Sequence, residues 1–164
     1  MEADAQHREV YAWAGLALYE AQVFEQGVTN VLFAARLLDR SIVDEFATAD
    51  EFYAKQESKP LGPVLQALRR HLPLDHSVDA CCSEAHHQRN FLVHRFFAER
   101  IELFATDEGR QLLLAELHGA VLAFRAADDG LQSLFFELGK QFGLTPELVQ
   151  KEMQGIWREA GGAS

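Results

Sequence analysis

Val10-Tyr11-Ala12-Trp13-Ala14-Gly15-Leu16-Ala17-Leu18-Tyr19-Glu20-Ala21-Gln22-Val23-Phe24 opens the pattern that decides the fold. Apolar residues recur at three- and four-residue steps: Val10, Trp13, Leu16/Ala17, then Val23/Phe24, Val28, Val31/Leu32 and Ala35. That is the period of an amphipathic helix. It predicts one long helix over about Gln6 to Leu38, with Gly27 a tolerated weak point.

The same period returns along the chain. Thr48 with Glu51 three residues on has the spacing of a capping box and predicts a short helix. Lys59-Pro60 and Gly62-Pro63 end it and start another that runs to about His71. Pro73 closes that one. Asp75 or Ser77 can cap a long helix reaching about Phe104. Thr106-Asp107-Glu108 opens a further long helix through Leu112-Leu113, Leu117, Val121-Leu122, Phe124, Leu131, Leu134-Phe135 and Leu138, stopped by Gly143. Thr145-Pro146-Glu147 begins a last short helix, hydroxyl at the N-cap and proline at the first helical position. No segment alternates with period two, and no repeat, linker or low-complexity run appears. The expectation is an all-α antiparallel bundle, three long helices with additional short ones, forming a single domain over residues 1–164.

Length and composition agree with a globular domain: 164 residues, 48% hydrophobic and 24% charged. The formal net charge of −10 argues against broad binding to a duplex, which needs rows of Lys and Arg facing phosphates. It does not exclude a local basic site. Adjacent Cys81 and Cys82 point apart on a helix and cannot make an ordinary structural disulfide. Together with an acidic N-terminus unlike a signal peptide, this predicts a cytoplasmic protein. No apolar run approaches the ~18 residues of a membrane span.

The chemistry-bearing stretch is Arg89-Asn90-Phe91-Leu92-Val93-His94. Asn90 and His94 lie four apart on one helix face, with His86 and His87 on the preceding turn. Arg89 stands five residues from His94, about 140° around the axis. An imidazole titrating near neutrality can move a proton in phosphodiester cleavage. A guanidinium can hold a phosphate and stabilise transition-state charge. An asparagine can fix either the imidazole or a substrate oxygen. RNA brings its own nucleophile, the 2′-hydroxyl, so such a site needs no metal.

On these residues the chain resembles the HEPN superfamily of small helical bundles. Its signature is an arginine, often followed by a polar residue, with a histidine after four to six intervening residues. Arg89, Asn90 and His94 match it within a long, late helix. Arg70 to His76 also has the spacing, but Pro73 interrupts it. The resemblance implies a metal-independent endoribonuclease without cofactor, commonly a toxin or phage-defence effector, and a homodimer whose two motifs line one cleft. Arg89 and Asn90 would then bind or polarise the scissile phosphate of an RNA substrate, and His94 would transfer protons. Some members carry a tyrosine two residues after the histidine, where an antitoxin modifies them. Phe96 stands there in this chain, which argues against that form of control.

The competing reading is a non-catalytic helical protein whose acidic surface binds a protein partner or regulator. Arg89 buried against a carboxylate would favour it, whereas a basic patch of Arg89, Arg95 and Arg100 would favour RNA. Glu84-Ala85-His86-His87 contains one Glu-x-x-His step of the kind used by di-metal bundles, but the second copy is absent. His87 and His94, seven apart and about 10 Å along the axis, are too far to share one ion. His71, His76, His86 and His87 crowd the middle of the chain in a way that allows adventitious metal binding. Leu138 to Val149 resembles a helix-turn-helix, yet its second helix starts with Pro146 and Glu147 rather than basic residues. Asp79 and Glu84 would raise the cysteine pKa values and make a catalytic thiol unfavourable. Phe96-Phe97 and Phe135-Phe136 put aromatics on two faces at once, which predicts a subunit contact.

Overall fold

A computed structural model of the chain describes residues 2–145, together with 147, 148, 150, 151, 154 and 158. Its elements are α1 (Glu2–Leu38), α2 (Ala49–Glu57), α3 (Leu61–His71), α4 (His76–His94), α5 (Phe96–Glu99) and α6 (Asp107–Gly139). Short 3-10 turns occupy Ile101–Ala105 and Lys140–Phe142. The protein is all-α, and no strand occurs among the described residues.

The capping chemistry sits where side-chain type dictates. The Thr48 hydroxyl accepts from the Glu51 N–H at 3.2 Å, and Glu51 Oε2 reaches back to the Ala47 N–H at 2.9 Å. Asp75 accepts from the Ser77 N–H at 2.9 Å, and Thr106 from the Gly109 N–H at 3.0 Å. Each acceptor satisfies a donor that the helix cannot. Beyond α6, the Thr145 hydroxyl accepts from the Leu148 N–H at 3.2 Å, as the expected last helix requires. Pro146 and Val149 lie outside the described residues.

Three long helices carry the core. Ala14, Ala17, Ala21, Phe24 and Val28 of α1 are buried against Leu113, Leu117, Ala120, Phe124, Ala127 and Leu131 of α6. Small side chains along α1 let the two axes approach, and Phe24 and Phe124 stack at 6.4 Å between centroids. Each buried phenylalanine contributes about 2–3 kcal/mol through area removed from water. Gly27 sits at this crossing, where a Cβ would stand 2.8 Å from Asp128 Oδ1. The weak point in the helix is therefore a point of close approach.

Helix directions refine the expected arrangement. Gln6 bonds Arg110, Trp13 packs on His118, and Glu20 bonds Arg125, so α1 and α6 advance together and run parallel. By contrast, Val78 meets Gly130 while Arg100 meets Glu116, so α4 runs antiparallel to α6. Arg89 pairs with Glu25 and Phe97 with Tyr11, which makes α4 antiparallel to α1 as well. Antiparallel packing thus holds for α4 with both partners and not for the α1–α6 pair. Two reversals separate α1 from α6, and an even number of reversals restores the direction.

The segment expected to run on to Phe104 breaks at Arg95, where φ is −134° and ψ −24°. Neither glycine nor proline marks the break, because tertiary contacts make it. Phe96 is buried and T-stacks on Phe91 at 6.0 Å, Phe104 turns back to stack on Tyr11 at 5.9 Å, and Gly109 lies tight against the Leu103 backbone. The adjacent aromatics divide accordingly. Phe96 enters the core and Phe97 stays partly exposed beside Tyr11. Phe135 and Phe136 are both half-buried. No helix among the described residues is long and apolar enough to cross a membrane.

Candidate functional site

Arg89 lies on the side of α4 that faces α1, half-buried. Its Nε donates to Glu25 Oε1 at 2.5 Å, and its Nη1 to Asn90 Oδ1 at 3.3 Å. The Asn90 amide nitrogen in turn donates to His86 Nε2 at 3.1 Å, one turn back along α4. The His86 ring lies over Gly62, with Cε1 3.4 Å from where a Cβ would stand. Four polar side chains therefore form one chain of contacts, Glu25–Arg89–Asn90–His86, and α3 provides the glycine on which the last ring rests.

This arrangement sets the protonation of His86. Burial pushes its pKa below the ordinary value, and the nearby Arg89 and Arg69 guanidiniums push it the same way. The Glu25 carboxylate opposes them without prevailing. His86 is consequently held neutral, with Nε2 free to accept from Asn90 and its proton on Nδ1.

His94 stands elsewhere. It is the last residue of α4, exposed, and its ring makes no hydrogen bond among the described residues. It lies one turn beyond Asn90, about 40° from it and about 140° from Arg89 around the helix axis. The fold therefore brings Arg89 and Asn90 together, adds Glu25 and His86 to them, and leaves His94 outside the network. Glu25 is 64 positions from Arg89, and nothing local in the sequence marked it. His86 was marked only as a residue of the turn before Asn90.

The other cations do not make an open basic patch. Arg95 pairs with Glu99 at 3.5 Å, and Arg100 Nε reaches both Glu116 carboxylate oxygens at 3.0 and 3.1 Å. Both guanidiniums also lie over the Phe91 ring, at 5.4 and 5.0 Å from its centroid. A groove of about 630 Å³ between α4 and α6 contains them, with Glu84 and Glu116 in its walls. Its formal charge cancels.

Cys82 is buried, and that burial, with Asp79 nearby, pushes its thiol up to about 12. A thiol so poised is not a nucleophile at neutral pH. Among the described residues, no three histidine, cysteine or carboxylate side chains gather as a metal-holding group. The resemblance in the Arg89–His94 stretch stands alone: comparison of the chain with family models, curated proteins and solved structures finds no match.

Proposed function

We propose that this chain is a HEPN-like, metal-independent endoribonuclease, acting as a homodimer with Arg89, Asn90 and His94 at its site. One observation carries the reading. Asn90 is bonded to the Arg89 guanidinium, and one turn on from it His94 presents an exposed imidazole with no hydrogen-bond partner among the described residues. In the proposed reaction a neutral imidazole takes the proton of the RNA 2′-hydroxyl. The freed oxygen attacks phosphorus and the 5′-oxygen leaves with a proton. The products are a 2′,3′-cyclic phosphate and a 5′-hydroxyl end. The departing proton comes from the protonated imidazole, an imidazolium, of a second copy in the same cleft. That arrangement would also bring a histidine to the arginine which, within one copy, faces away from it. A toxin or phage-defence role is the biological setting this activity fits.

A specific observation favours a second reading. Arg89 is half-buried against Glu25, and Arg95 and Arg100 are neutralised by Glu99 and Glu116. Such pairing suits a non-catalytic interaction protein that uses an acidic surface to bind a protein partner.

Cleavage of mixed cellular RNA in EDTA separates the two. Wild type, His94→Ala and Arg89→Ala are compared, with folding and association state measured in parallel. The ribonuclease reading expects cleavage by wild type, lost by at least ~10²-fold in both folded variants, the usual worth of a general acid–base or charge-stabilising group. Three equally inert and equally folded proteins would overturn it and leave the interaction protein.

A further inference from the structure

A polar cavity of about 440 Å³ opens beside the Arg89–Glu25 pair, between α1, the end of α2 and the start of α3. Glu25 belongs to both: one oxygen holds Arg89, and the carboxylate lines the cavity. Leu61 and Val64, both buried, supply an apolar wall. The remaining polar groups are amides and single charges from Gln22, Gln26, Gln56, Glu57 and Lys59.

Gln56 is the telling member. It is 4% exposed, and its Oε1 accepts from Lys59 Nζ at 3.3 Å. Its amide nitrogen donates to nothing among the described residues. No buried side-chain polar atom among the described residues lacks a partner, so this nitrogen is open to solvent, and Gln56 meets solvent at the cavity it lines. The Gln26 amide is already used on Asn30 at 3.0 Å, and the Thr29 hydroxyl on the Glu25 carbonyl at 3.2 Å. That leaves the Gln22 and Gln56 amides and the remaining Lys59 N–H groups as donors to a ligand, with the Glu25 and Glu57 carboxylates as acceptors.

The charges select the class of ligand. A phosphate would face two carboxylates, so the occupant is neutral, planar enough to lie on Leu61 and Val64, and edged with both donors and acceptors. A nucleobase has that description, and single-stranded RNA is read along such edges. Guanine fits the set best. It offers neighbouring N1–H and N2–H₂ donors for a carboxylate, and the O6 and N7 acceptors for an amide or ammonium.

We infer that this cavity is a base-recognition subsite for guanine in RNA. The inference rests on the ribonuclease reading for its biological use: Arg89, bonded to Glu25 of the cavity wall, would hold the phosphate of the nucleotide whose base enters. Binding itself is testable without cleavage. The isotope-labelled full chain is titrated separately with the four 5′-nucleoside monophosphates, following the side-chain amide resonances of Gln56 and Gln22. Guanosine monophosphate is expected to shift the Gln56 amide and to bind about tenfold more tightly than the others, the worth of one or two hydrogen bonds.

Gln56→Met keeps the shape and should abolish the preference. Gln22→Ala, on the exposed face of α1, should weaken it without disturbing the core. Four nucleotides that bind equally, or that leave the Gln56 amide unmoved, would overturn the inference. A chain that prefers guanosine monophosphate yet cuts no RNA would retain the subsite and lose the ribonuclease reading. A chain that cuts RNA with no base preference, unaffected by Gln56→Met, would do the reverse.

Discussion

At the scale of single residues, the most consequential group is one the short motif does not contain. His86 accepts the amide hydrogen that orients Asn90, and it can do so only while neutral. Burial first, and the Arg89 charge second, hold its pKa below the ordinary 6.5. The sign of the linkage follows. Between the lowered folded value and 6.5 the unfolded chain binds the extra proton and the folded chain does not. The stabilisation is therefore complete above that range and is lost as pH falls through it. The melting temperature of wild type relative to His86→Gln should drop between pH 7.5 and 5, because glutamine offers an acceptor that does not titrate. A difference constant over that range would show that His86 is not desolvated. Arg89 and Asn90 were legible in the sequence as neighbours on one helix, and His86 only as a residue of the turn before them. Glu25 was not, since its pairing with Arg89 depends on how α1 lies against α4, and no local pattern encodes that crossing.

At the scale of elements, helices and caps were legible and the chain reversal after α4 was not. Apolar period and capping residues act within a few positions, so Thr48 and Thr106 could be read directly, and Asp75 as one of two candidates with Ser77. The break at Arg95 has no glycine or proline. It arises because Arg100 is drawn to Glu116 and Phe104 to Tyr11, contacts that exist only once the helices are assembled. The same reversal makes Gly109 the least replaceable glycine of α6. A Cβ there would stand 2.2 Å from the Leu103 carbonyl oxygen, a clash with backbone rather than with a movable side chain. Gly109→Ala should cost about 3 kcal/mol, the upper range for overpacking. Gly15→Ala meets nothing within 4 Å on the exposed face of α1. It should instead add up to about 1 kcal/mol through helix propensity. Urea unfolding of the two variants reads both effects. A Gly109→Ala protein as stable as wild type would mean that the turn at Ile101–Ala105 is free to move away from α6.

At the scale of the whole molecule, an excess of ten negative charges has to be reconciled with the proposed RNA substrate. Most of the arginines that could offset that excess are already engaged. Arg36, Arg69, Arg89, Arg100, Arg110 and Arg125 are each paired with a carboxylate, mostly one on another helix or in an adjoining loop. They fasten elements together and offer little to a passing polyanion. Any RNA bound here must then be held chiefly by contacts to bases and by very few phosphates. Counterion release measures that number: for single strands the slope of log affinity against log salt is about −0.7 per phosphate neutralised. With one or two phosphates engaged, the slope for an uncleavable 2′-O-methyl oligonucleotide should lie between about −0.7 and −1.4 across 50–200 mM salt. Fluorescence anisotropy gives it directly. A slope near −4, the signature of about six phosphates, would require cations to be released from their carboxylate partners on binding. RNA would then have to reorganise the α1–α4 contacts instead of docking onto them. A shallow slope combined with sensitivity to Gln56→Met would place the binding free energy in base contacts, where an acidic protein can obtain it.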